Sequence, residues 1–300
     1  MIEILILVTI AFAIILMYFW MIFGEINGPI KNISVKKENY INHLHTDIPP
    51  IDDLENYVVN QGQTVDVILR VSVNSSQNLA RKITDLPSKI TLDNMPGWTE
   101  ELYDDRRIDK FLYNTFGSDH RITKAYYSIN KQYGVCKADY IRAILVYIYG
   151  YRYLDRKSYI KKLGSPIIPE EKEIWLSHWP SQTNTHLDDE GEFINWHIYA
   201  RSGSKILKEY IERITYNIEY IKENPDKYDE FNMAIGWINQ IPVLGITGPM
   251  ALLLTYKASE YKDTVLIDDS INDYIEYTHP SCVLNKPWLH YGVSGGRIVS

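Results

Sequence analysis

From residue 4 to residue 24 the chain carries no charged side chain, and Leu, Ile, Val, Met and Phe dominate. As a helix those 21 residues reach about 30 Å, the depth of a bilayer's hydrocarbon core. Tyr18 and Trp20 suit an interface. Met1-Ile2-Glu3 ahead of the span holds no Lys or Arg, and no small-residue cleavage site follows it. A retained transmembrane anchor over residues 1–25 is therefore expected rather than a cleaved signal peptide. Lys31, Lys36 and Lys37 follow the span, which places what comes after it on the cytoplasmic side. Residues 26–60 are polar, with Pro29, Pro49 and Pro50, and read as a stem.

Beyond residue 60 the pattern changes to alternating strand and helix periods. Residues 65–73 (VDVILRVSV) are rich in β-branched side chains and predict a strand; residues 99–105 predict a second. Short helices are predicted over 79–86, 106–113 and 122–130. Residues 138–149 place Ile141, Ile144, Leu145 and Ile148 at helical spacing, and Gly150 stands where a helix cap belongs. A short strand over 151–154 then ends on Asp155. Strands are also expected at 174–178 and 193–200, with an acidic loop over 185–192 between them. An amphipathic helix is predicted over 204–222, and another after the turn Thr247-Gly248-Pro249. Alternation of this kind predicts an α/β domain over residues 61–300 with a mostly parallel central sheet, whose ligand sits beyond the carboxyl ends of the strands.

Composition narrows the function. With 300 residues, 45% hydrophobic and 23% charged, the chain has enough material for one large core. A net charge of −7 and a pI near 5.6 argue against nucleic acid as the main ligand. The two cysteines, Cys136 and Cys282, have no metal-ligand spacing and are expected as buried thiols. No P-loop, Gly-x-Gly-x-x-Gly or Ser-His-Asp signature is present.

The chemistry concentrates in residues 137–157, KADYIRAILVYIYGYRYLDRK. Asp139 and Arg142 are three residues apart on a helix; alone they read as an exposed ion pair. With Asp155 emerging from the following strand, they put two carboxylates and a guanidinium within reach of one pocket, an inventory that suits a diphosphate-bearing sugar donor. The 24 tyrosines are expected mostly as packing, with a few free to stack on a sugar or base ring.

This segment resembles glycosyltransferase family 32, which pairs an Asp-x-x-Arg helix with a glycine turn and a Tyr-x-Asp-x-Asp strand end. Asn94-Met95-Pro96-Gly97-Trp98 with Leu102-Tyr103-Asp104-Asp105 is similar to the family's upstream segment. Asn195, Thr247-Gly248-Pro249, His279 and His290 are similar to its later features, so the resemblance runs from about residue 65 to 291. It implies a GT-A type fold and hexose transfer, with retained configuration, from a UDP- or GDP-hexose to a glycan or protein-linked acceptor, usually with Mn²⁺ or Mg²⁺. On the same resemblance Asp139, Arg142, Tyr153, Asn195 and Gly248 are expected to hold the donor, and Asp155, His279 and His290 a metal. Asp155, Arg156 and Lys157 are expected to act in catalysis.

Two positions depart from the family's pattern. Tyr151 stands for its second turn glycine, and Lys157 for the second acid of Asp-x-Asp. A lysine there opposes a divalent cation directly. Either Lys157 or Arg156 takes over charge stabilisation of a departing diphosphate, or the chain keeps the fold as an inactive carbohydrate- or partner-binding module.

Overall fold

The computed structural model describes residues 47–73, 81–82, 84–179, 192–227, 242–280, 282–284 and 298–299. These belong to one compact unit, His45–Met233 with Ile241–Ser300. The predicted membrane span, the first part of the stem, the acidic loop up to residue 191, and His290 lie outside the described residues. No helix among the described residues is long and apolar enough to cross a membrane.

Ten strands and seven α-helices follow one another along the described residues. The strands are β1 (Val67–Ser72), β2 (Arg81–Lys82), β3 (Thr99–Asp104), β4 (Arg152–Leu154), β5 (Tyr159–Ile160), β6 (Ile174–Leu176), β7 (His197–Ala200), β8 (Val265–Ile267), β9 (Ile275–Glu276) and β10 (Val283–Leu284). The helices are α1 (Leu86–Asn94), α2 (Asp105–Thr115), α3 (Arg121–Ser128), α4 (Gly134–Tyr149), α5 (Lys205–Glu223), α6 (Pro242–Ile246) and α7 (Pro249–Ala258).

Six strands form the central sheet in the order β3-β1-β4-β7-β6-β8. β1 runs parallel to β3 and β4, and β6 parallel to β8, while β7 runs against both of its neighbours. The sheet is thus mostly parallel, as the alternating pattern predicts, with one reversed strand that the pattern does not show. β2 pairs with β10 and β5 with β9 as separate two-stranded ribbons. The helix expected over 79–86 is therefore replaced by a strand at Arg81–Lys82 and a helix that begins only at Leu86. Two residues of strand are too short to leave a period-2 signature, and their partner lies about 200 positions away, beyond any local reading.

α4 is buried from Asp139 to Ile148, packed on β1, β4 and β7 inside and on α5 outside. A helix apolar on all sides belongs in the interior. Its end is fixed by Gly150 at φ 73°, where a Cβ would stand 2.3 Å from the Gln63 carbonyl oxygen. Strand alternation then sends Tyr153 to the α4 face of the sheet, and Arg152 and Leu154 to the other. That second face carries Ile68, Leu154, Trp175 and Tyr199 against Met95, Ile160, Ile168, Ile271 and Ile275.

The segment expected to continue the stem to residue 60 instead joins the fold. Ile51 and Leu54 are buried, the Ile51 amide donates to Glu212 Oε1 at 2.9 Å, and the Val59 amide donates to the Ile148 carbonyl at 2.8 Å. Two apolar side chains in a polar run are enough to dock it, because α5 and α4 offer partners that the local sequence does not reveal. Cys136 and Cys282 are free, buried thiols.

Candidate functional site

The last turns of structure before the carboxyl ends of β1 and β4 converge on Asp155. Arg142 rises from α4 and ties three residues together. One nitrogen, Nη2, pairs with Asp139 Oδ1; the other, Nη1, donates to Asp155 Oδ1 at 3.1 Å and to the Tyr153 hydroxyl at 3.2 Å. The Tyr153 hydroxyl donates to Asp155 Oδ1 at 2.5 Å. Asp155 therefore receives two bonds on one oxygen, and at 23% exposure its side chain is the member that reaches the surface.

Asp139 sits deeper. Its Oδ1 also accepts from Asn195 Nδ2 at 3.3 Å, and its Oδ2 from Thr247 Oγ1 at 2.9 Å. With 2% exposure and both oxygens occupied, it anchors Arg142 rather than offering itself to a sugar. The pair is buried rather than exposed, because α4 is interior from Asp139 to Ile148. Burial opposes the charge on Arg142, but the neighbouring Tyr153 hydroxyl and the Asp155 carboxylate outweigh it and hold the guanidinium's pKa above its ordinary value. Burial and the adjacent Asp155 push the Tyr153 hydroxyl far up, so it stays a proton donor to that carboxylate.

The turn Thr247-Gly248-Pro249 supports this network from behind. The Thr247 carbonyl accepts from the Tyr210 hydroxyl at 2.5 Å while its side chain holds Asp139. Gly248, expected at the donor, is buried instead; its amide donates to the Val243 carbonyl at 3.0 Å, and a Cβ would lie 2.9 Å from Leu244 Cα. Its role is the close corner between α6 and α7. Asp104, in the expected upstream segment, caps α2 by accepting from the Arg107 amide at 2.9 Å. Asn94 reaches the Ile160 carbonyl at 2.9 Å.

The two cations of the turn part company. Arg156 is half-buried and reaches Ser72 Oγ at 3.1 Å, at the carboxyl end of β1. Lys157 is 5% exposed, with its ammonium 3.8 Å from the centre of the Tyr277 ring. A segment from Tyr277 to His279 lies across this turn: Ser158 Oγ donates to the Tyr277 carbonyl at 2.7 Å, and the His279 amide to the Lys157 carbonyl at 2.9 Å. The His279 ring packs edge-on against Tyr159.

Among the described residues the donor set does not fit a divalent cation. Asp155 already accepts two bonds on one oxygen, position 157 holds an ammonium, and no group of three His, Cys, Asp or Glu that could hold a metal occurs among the described residues. A Mg²⁺ or Mn²⁺ site needs several oxygen ligands.

Sequence reasoning missed Arg70 and the Arg152–His197 pair. Arg152 Nε donates to His197 Nε2 at 3.1 Å, and its Nη2 to Ser165 Oγ at 2.9 Å. Burial pushes Arg152 down to about 10, and burial with the adjacent guanidinium pushes His197 well below 6.5. An arginine inside each of two strand patterns was the signal available.

No protein-family profile matches the chain. No curated protein matches it. Among solved structures the chain is similar to one titled "PaToxG Glycosyltransferase", at 14% identity and a TM-score of 0.44, covering 77% of this chain and 82% of that one. A likeness this loose transfers neither a residue role nor an activity.

Proposed function

We propose that the chain is a single-pass, membrane-anchored glycosyltransferase of the family 32 type, with a GT-A type fold. It moves a hexose from a UDP- or GDP-hexose to a glycan or protein-linked acceptor. One observation carries the reading: a buried chain of Asp139, Arg142 and Tyr153 presents the Asp155 carboxylate at the carboxyl end of β4, beside the Arg156 guanidinium at the carboxyl end of β1. In mostly parallel sheets that edge is where ligands bind.

Within this reading Asp155 orients the donor, and Arg156 offsets the charge of the departing diphosphate, which a preorganised cation does without solvent rearrangement. Asp139, Asn195 and Thr247 hold Arg142 in place. No step runs through a metal ion. Residues 4–24 supply the membrane anchor.

The test is hydrolysis of a panel of UDP- and GDP-hexoses with Mn²⁺ or with EDTA. Turnover that survives EDTA is expected, and Arg156→Ala is expected to lower it about 100-fold, the scale of losing one charge-stabilising donor. Turnover confined to Mn²⁺ sinks the cationic reading.

A second reading is favoured by the placement of Lys157, at the position of the second acid, over the Tyr277 ring. On it the chain is an inactive GT-A-fold module that binds carbohydrate or a partner. Lys157→Asp then creates metal-dependent turnover if only the metal ligand was lost.

A further inference from the structure

Beneath the turn at residues 155–158 lies a guanidinium from the middle of β1. Arg70 is 1% exposed, and strand alternation sends it to the face opposite α4, toward α1. Its Nη1 donates to three carbonyls of one short stretch: Asp155 at 2.5 Å, Ser158 at 2.8 Å and Leu154 at 3.5 Å. Its Nε bonds Glu100 on β3 at 3.0 Å, and its Nη2 reaches Thr91 Oγ1 on α1 at 3.2 Å. Thr91 continues the chain. Its hydroxyl donates to the Pro87 carbonyl at 2.7 Å and accepts from the Ile160 amide at 3.1 Å. The turn itself is closed by the Ser158 amide on the Asp155 carbonyl at 2.9 Å, the same oxygen that Arg70 holds.

We propose that Arg70 is the positioning residue of this site: with Thr91 it fixes the backbone turn that aims Asp155 and Arg156. A bound cation gathers a ligand loop by drawing in its oxygens. Here a buried guanidinium draws in the loop's carbonyl oxygens from below, while the Asp155 side chain is held by Arg142 and Tyr153. Hydrogen bonds from a charged donor are the strong ones, and stronger still away from water. Only a planar fork with five donors can serve Glu100, Thr91 and the carbonyls at once, so lysine is no substitute. The ligand's identity rests on the glycosyltransferase reading; the positioning role rests on the geometry alone.

The experiment uses the full-length chain in detergent, as wild type, Arg70→Lys, Thr91→Val and Thr91→Ser. Backbone amide exchange is followed at residues 155–160 and in α5, and UDP and GDP are titrated calorimetrically without metal. In Arg70→Lys and Thr91→Val, exchange at 155–160 is expected to rise at least about tenfold, the effect of losing one buried charge-assisted bond. Nucleotide affinity is expected to fall about tenfold in the same two variants. α5 is expected to exchange at the wild-type rate, and Thr91→Ser, which keeps the hydroxyl, to match wild type throughout. Wild-type exchange at 155–160 in Thr91→Val overturns the proposal, as does the same result in Arg70→Lys. If Arg70→Lys does not fold, the Thr91 pair decides. If wild type binds neither nucleotide, the glycosyltransferase reading falls, and the exchange data still decide the role of Arg70.

Discussion

Arg142 illustrates how a single residue can be central to both stability and chemistry. Its guanidinium pairs with two carboxylates at once, the buried Asp139 and the half-buried Asp155. Removing one partner of a buried ion pair leaves the others uncompensated, so Arg142→Ala is expected to cost about 3–5 kcal/mol in urea denaturation. Asp155→Asn keeps the shape and its hydrogen-bonding oxygen. It is expected to leave the unfolding free energy within about 1 kcal/mol of wild type while abolishing most donor turnover. Equal losses of stability in the two variants would show that Asp155 is only a structural partner of Arg142. Gly150 is the second residue whose identity is forced. With φ at 73° and the Gln63 carbonyl oxygen 2.3 Å from where a methyl would stand, Gly150→Ala combines backbone strain and a clash with rigid backbone. A loss above about 1 kcal/mol is expected from the left-handed backbone alone, read as a lower melting temperature.

At the level of elements, the legible parts are those whose cause is local. β1 announces itself through a β-branched run, α4 through helical spacing and a glycine stop, and α7 through Pro249 at its first turn. The reversal of β7 is hidden, because strand direction depends on the path of the connecting chain rather than on side-chain order. The acid segment at 104–105 is legible as a feature but not as a function: Asp104 proves to be a helix cap. Asp104→Ala is accordingly expected to cost about 1 kcal/mol and to leave donor turnover unchanged; a large loss of turnover would return Asp104 to the site.

For the whole molecule, the buried Arg152–His197 pair ties β4 to β7 and makes stability depend on pH. The histidine's pKa is ordinary, near 6.5, in the unfolded chain and depressed in the folded one. Above pH 6.5 both states are neutral there, and nothing is lost. As pH falls below 6.5 the unfolded chain takes up a proton that the folded chain refuses, so stability declines. The decline is at most about 1.4 kcal/mol per pH unit from this one group. Urea midpoints at pH 7.5, 6 and 5 are expected to fall in wild type and to flatten in His197→Gln. An equal slope in the variant would remove the histidine as the cause. On the proposed membrane-anchored reading, deleting residues 1–25 is expected to move the protein from the membrane to the soluble fraction.

The sequence by itself determined the α/β class, the mostly parallel sheet, most helix positions, the longer strands, and the identity of the residues at the end of β4. Those follow from local periodicity, caps and β-branched runs, which act over a few residues. Only the tertiary structure decided where each candidate site residue sits. It buried Asp139 behind Arg142, turned Lys157 onto Tyr277 and Arg156 toward β1, and placed Arg70 beneath a turn 85 positions away. It also docked residues 51–60 onto the fold. These outcomes depend on which distant partner can satisfy a buried charge or cover an apolar side chain, and the local pattern of a chain carries no record of that partner.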